Sequence, residues 1–175
     1  MKRRVYNRKS MRLKNYNYSG NGMYFITICT YNREFLFGKI IDGEMVLNQL
    51  GHIADHELSK TEKIRRFVSV NAKIVMPNHI HAIINIYKPP QYSSCRGTVH
   101  RAPTFKKELQ PSERYGSPTK NSIPTIIRSY KATVTKQINN LRQTPQYPVW
   151  QRNYYERVIQ NKFELFTLKK YIINN

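Results

Sequence analysis

A chain of 175 residues has room for one ordinary domain and hardly for two, and 39% apolar content excludes wholesale disorder. Thirty Lys and Arg against ten Asp and Glu leave a net charge of +20, an excess that answers a polyanion such as DNA, RNA or an anionic membrane. No run approaches the ~18 apolar residues that span a bilayer, no apolar stretch follows the basic N-terminus, and Cys29 and Cys95 form neither a metal spacing nor a disulfide framework. No membrane partner and a reducing cytoplasm are therefore expected.

Residues 1–20 read as a basic N-terminal arm ahead of a domain at 21–175. Lys2, Arg3, Arg4, Arg8, Lys9 and Arg12 would meet phosphates there, with Tyr6, Tyr16 and Tyr18 offering faces to bases; a solvated tail is the alternative. From Met23 to Tyr31, MYFITICTY predicts a buried strand. EMVLNQLGHIADHEL, residues 44–58, spaces Val46, Leu47, Leu50, Ile53, Ala54 and Leu58 as a helix. His52 and His56 lie four apart on it, but with no carboxylate of known placement they read as surface histidines.

RRFVSVNAKIVMPNHIHAIINIY predicts two strands around a tight turn, where Pro77 fixes φ and Asn78 tolerates the next position. Residues 88–121, rich in Pro and Ser and without periodicity, read as a mobile loop. SIPTIIRSYKATVTKQINNLRQ predicts a helix with Pro124 in its first turn and an apolar stripe of Ile126, Ile127, Tyr130, Val134, Ile138 and Leu141. Its other face offers Arg128, Lys131 and Lys136 to nucleic acid, joined by Arg152 in the next segment. PVWQRNYYERVI reads as a strand and NKFELFTLKKYIINN as a closing helix. The order β, α, β-hairpin, α, β, α predicts an α+β fold with helices packed on an antiparallel sheet.

His79 and His81 are the sharpest chemical feature. At i and i+2 of a strand both imidazoles project from one face, while Ile80 joins Ala82, Ile84 and Ile86 on the other. Two neutral imidazoles so placed can converge on a cation that draws charge from a phosphate; ordinary surface histidines are the alternative. On the closing helix, Leu165, Leu168 and Ile172 form one stripe, and Tyr171 falls off it beside Asn175. That phenol is either a nucleophile or a cap on the core edge with its hydroxyl in water. Tyr154 and Tyr155, adjacent on the last strand, should face opposite sides.

VMPNHIHAIINI, IPTIIRSYKATVTKQIN and PVWQRNYYERVIQNKFELFTLKKYIINN, in that order, resemble the REP-associated tyrosine transposases. These are relatives of the insertion-sequence transposases that use one tyrosine. The resemblance covers residues 23–175 apart from the loop. It implies a ferredoxin-like or RRM-like sheet with the histidine–hydrophobe–histidine (HUH) motif on a central strand. It also implies Mg²⁺ or Mn²⁺ at His79 and His81, a nucleophile at Tyr171 from the Y-I-x-x-N pattern, and Asn175 completing the metal site. The implied activity is cutting and rejoining of single-stranded or hairpin DNA at REP-type palindromes through a 5′-phosphotyrosine, in the nucleoid. Family members typically continue past this Asn into Pro and a further segment, so reduced activity from C-terminal truncation is an expectation here. The rival readings are a non-catalytic DNA-hairpin binder and an RNA-binding protein, although Tyr24 and Phe25 lack the surrounding RRM signature. A homodimer stays open.

Overall fold

Residues 16–89 and 119–175 are described by the structure, a computed structural model of the chain. In chain order they form β1 (Gly22–Cys29), a 3-10 turn at Tyr31–Arg33, β2 (Gly38–Ile41), β3 (Glu44–Leu47), α1 (Gln49–Ile64), β4 (Val68–Met76) and β5 (His79–Ile86). After the loop come α2 (Ile123–Arg142), β6 (Tyr155–Ile159) and α3 (Lys162–Ile173). The main sheet is ordered β4-β5-β1-β6 with every neighbouring pair antiparallel. Setting the β2–β3 hairpin aside, this is the β-α-β-β-α-β arrangement of a ferredoxin-like fold, with β5 and β1 as the two inner strands.

Strand alternation divides the apolar residues between two faces. Tyr24, Ile26 and Ile28 of β1 and Ile80, Ala82, Ile84 and Ile86 of β5 meet α1 through Ala54 and Leu58, and α2 through Ile126, Ile127, Val134 and Ile138. On the opposite face Phe25 and Ile83 form a smaller cluster under Ile172, Leu165 and Leu168 of α3. The large core thus carries most of the burial, and α3 is held by a narrow apolar seam beside the exposed part of that face.

Three expectations change. Residues 44–47 belong to a two-stranded sheet with β2, not to a helix. The connecting Asp42 and Gly43 adopt φ of 51° and 83°, which suits the right-handed twist of a two-residue hairpin. The helix begins only after Asn48, whose side chain accepts from the backbone N–H groups of Leu50 and Gly51 and donates to the carbonyl of Leu36. Leu141 is exposed rather than part of the buried stripe. Tyr16 and Tyr18 pack with Tyr24 in a ring cluster, with Tyr18 buried, so the chain joins the domain core before residue 20. Lys2, Arg3, Arg4, Arg8, Lys9, Arg12 and most of the 88–121 loop lie outside the described residues.

Candidate active site

The turn at Pro77–Asn78 ends β4 and starts β5, so His79 and His81 emerge at one end of an inner strand. Register then sets their company. Thr27 of β1 lies opposite His81 on one side and opposite Tyr155 of β6 on the other, making a cross-strand row on the face that α3 partly covers. The two imidazole rings lie 4.7 Å apart at 75°. Each is held by its Nδ1 atom: Thr27 Oγ1 is 2.9 Å from His81 Nδ1, and Asn78 Oδ1 is 2.7 Å from His79 Nδ1. With a carboxamide oxygen facing it, His79 Nδ1 carries the proton and Nε2 keeps its lone pair. Phe25 stacks on His81 at 5.2 Å and 24°, closing one side of the ring.

Both imidazoles favour the neutral form. Burial pushes His81 down to about 4, with His79 adding to the effect. Burial also lowers His79, helped by the positive charge of Arg33. The neutral ring is the form in which histidine binds a cation. The donor set therefore fits a divalent metal as two nitrogen ligands. Among the described residues no third His, Cys, Asp or Glu joins them, so the other positions would fall to oxygens of side chain, water or substrate.

Tyr171 completes the cluster. Ile172 anchors the last turn of α3 in the small core, which turns Tyr171 toward β5. Its Oη lies 3.3 Å from His81 Nε2, with ring centroids 5.3 Å apart, and it meets Phe25 edge-on at 6.3 Å. Half the tyrosine is open to solvent, as an attacking group needs. Tyr154 and Tyr155 do face opposite sides: Tyr154 packs against the large core and donates to Glu156, while Tyr155 is exposed on the histidine face. Asn175 lies two residues past the end of α3, exposed, and among the described residues makes no hydrogen bond to either histidine.

The basic residues divide. Arg128, Lys136 and Arg152 are exposed. Lys131 instead turns inward: its ammonium donates to the carbonyls of Gln151 and Asn153 and ties α2 to the segment before β6, and burial lowers it to about 8. A lysine so engaged fastens the fold rather than reaching for phosphate. Sequence reasoning missed Thr27, Asn78 and Arg33. Asn78 could have been found, since it directly precedes the histidine motif. Thr27 and Arg33 meet the histidines only through strand register and the Tyr31–Arg33 turn. That turn is pinned by Thr30, whose buried hydroxyl donates to the carbonyls of Asn78 and Glu34, and it holds Asn32 and Arg33 at φ of 49° and 56°. His52 and His56 are surface residues, as expected.

Among the described residues no helix is long and apolar enough to cross a membrane. No family model matches the sequence. A Haemophilus influenzae protein described as uncharacterized is 34% identical over 171 residues, covering 98% of this chain and 89% of its own length. Among solved structures, a REP-associated tyrosine transposase bound to a REP hairpin superposes with a TM-score of 0.48 at 16% identity, over 92% of this chain and 70% of its own. A candidate transposase from Deinococcus radiodurans R1 superposes with a TM-score of 0.49 at 12% identity, over 93% of this chain and 95% of its own.

Proposed function

This chain belongs to the same family as the Haemophilus influenzae protein, and we propose that it is a single-stranded DNA endonuclease and strand transferase that acts on hairpins of the REP type. One observation carries the reading: Tyr171 Oη stands 3.3 Å from His81 Nε2, inside a pair of neutral histidines, in a chain of net charge +20. The motif resemblance to single-tyrosine transposases supports the same assignment.

In this reading His79 and His81 hold Mg²⁺ or Mn²⁺ through Nε2, and Asn175 is the proposed further ligand. When bound, the ion withdraws charge from the scissile phosphodiester. Asn78 keeps His79 in one tautomer and Thr27 holds the orientation of the His81 ring, so neither ring must swing before reaction. Tyr171 is carried on a helix packed to the same sheet, which places its oxygen for attack. Attack forms the Tyr171 Oη–P bond and breaks the P–O3′ bond. The phenolic proton passes to the departing 3′ oxygen through solvent, leaving a 5′-phosphotyrosine and a free 3′-hydroxyl. A second 3′-hydroxyl reverses the step and joins strands, so no nucleotide cofactor is consumed. Exposed Arg128, Lys136 and Arg152, with the N-terminal basic residues, bind phosphates and position the strand.

The test is to incubate the full chain and Mn²⁺ with oligonucleotides carrying palindromes that flank its gene. An adduct that survives denaturation and maps to Tyr171 is expected. Salt-sensitive hairpin binding without any adduct would overturn the nuclease reading and leave a non-catalytic hairpin binder.

A further inference from the structure

The chain leaves β1 through a turn fastened against the start of the histidine motif. Thr30, fully buried, donates its backbone N–H to the carbonyl of Asn78 at 3.0 Å, and its hydroxyl stands 2.9 Å from the same oxygen. Tyr31 N–H donates to the carbonyl of Val149 and Phe37 N–H to that of Pro77, so both ends of the segment are tied down. Cys29 lies opposite His79 in the β1–β5 register, which puts the turn at the same end of the sheet as the two imidazoles. Within it Asn32 and Arg33 adopt φ of 49° and 56°. Two successive non-glycine residues in the left-handed region are costly. Such conformations persist where surrounding contacts impose them, and they cluster at functional sites.

Arg33 is what that turn presents. It is exposed, and among the described residues its guanidinium forms no ion pair and no hydrogen bond. Its charge is nonetheless felt at His79, whose affinity for a proton it lowers. The histidines favour the neutral form and add no positive charge of their own. A permanent cation without an acid partner, beside a tyrosine and a pair of nitrogen ligands, suits a phosphate. The planar fork of arginine takes two phosphate oxygens at once, which a lysine cannot do. When phosphorus gains a bond, its non-bridging oxygens become more negative, so a cation placed on them stabilises the transition state beyond the ground state.

We infer that Arg33 is the phosphate clamp of the histidine site: its guanidinium grips the non-bridging oxygens of the phosphodiester that Tyr171 attacks, and the Tyr31–Arg33 turn holds it there. The inference rests on the DNA reading above and gives the site a positive charge from the protein itself. The left-handed backbone at Arg33 then serves the reaction and not the fold.

Arg33→Gly separates those two roles, because glycine relieves the left-handed backbone while removing the guanidinium. The variant should keep the parental Tm or exceed it, yet form adduct with Mn²⁺ about 100-fold more slowly. Arg33→Lys should recover only a small part of that loss. A metal-free readout uses the full chain in EDTA and hairpin oligonucleotides carrying one neutral methylphosphonate at a time. The parent should lose about tenfold in affinity when the modification falls at the phosphate joined to Tyr171 in the adduct, and Arg33→Gly should be indifferent at that position alone. In the parent, the His79 ring resonance should move with the unmodified strand and stay still with that methylphosphonate. Equal sensitivity of parent and variant at every phosphate would overturn the clamp. So would coupling to a different phosphate, or a variant that loses stability together with adduct formation. Adduct formation by Arg33→Gly at the parental rate sinks the clamp and leaves the nuclease reading standing. No adduct from the parent, with one phosphate still coupled to Arg33 and to the His79 resonance, sinks the nuclease reading and leaves the clamp.

Discussion

Tyr171→Phe removes one atom, and the structure gives the cost of that removal on two separate scales. The lost contact is the 3.3 Å approach of Oη to His81 Nε2, while the ring contacts to His81 at 5.3 Å and Phe25 at 6.3 Å survive. A hydrogen bond of this kind contributes ~0.5–1.5 kcal/mol net, and at a residue 47% exposed the lower end applies. For a domain of this size about 1 kcal/mol lowers Tm by roughly 2–4 °C. Against a typical stability of ~5–15 kcal/mol the variant remains folded, and hairpin binding should be unchanged because phosphate contacts lie elsewhere. Adduct formation should vanish, since the attacking oxygen is gone. Thermal unfolding, hairpin binding and a denaturing gel of the Mn²⁺ reaction measure the three quantities on the same preparation. A Phe variant that forms adduct at the parental yield refutes the assignment. Tyr155 would then be the next candidate, because it shares the cross-strand row through Thr27. As a matched control, Tyr155→Phe should still form the adduct.

Replacing His79 and His81 together by Ala should abolish Mn²⁺-dependent cleavage while hairpin affinity stays within a few fold; cutting at the parental rate would remove the metal assignment. Thr27→Val keeps the strand packing but frees His81 Nδ1, so Mn²⁺ affinity read by electron paramagnetic resonance should fall about 10–100-fold, and an unchanged affinity would exclude Thr27 as the orienting group. His81 sits at about 4 in the fold against ~6.5 unfolded, so the unfolded chain takes the proton first. Its contribution is therefore complete above pH 6.5 and lost as pH falls toward 4, on the order of 3 kcal/mol, and an NMR titration of His81 with a midpoint near 6.5 would contradict this. Hairpin binding should weaken with salt at a log–log slope of ~0.7 per neutralised phosphate, about −4 for six contacts, and a salt-independent affinity would dismiss a nucleic-acid partner.

Periodicity is a local property, and what it controls was readable in the chain. The alternation through HIHAIINI places His79 and His81 opposite Ile80, Ala82, Ile84 and Ile86, and the fold keeps that division. Pro77 and Asn78 announce the turn, and the stripe on α2 announces which side meets the sheet. The same logic failed where one pattern satisfies two periods. Val46, Leu47 and Leu50 fit a helix by spacing, and the Asp42–Gly43 turn and the Asn48 cap decide the boundary instead. Charge alone also misled for Lys131, whose position on α2 was correct but whose ammonium is claimed by two backbone carbonyls.

The candidate site depends on features that no local pattern contains. Thr27 meets His81 across 54 residues of chain and Tyr171 meets it across 90. The first contact needs the β1–β5 register, where a slip of one residue would turn Thr27 to the other face. The second needs α3 to dock through Ile172, Leu165 and Leu168 at one end of the sheet. Alternation told which residues share a face. Only the packing of distant elements, each driven to bury its own apolar stripe, decided what stands against the histidines on that face.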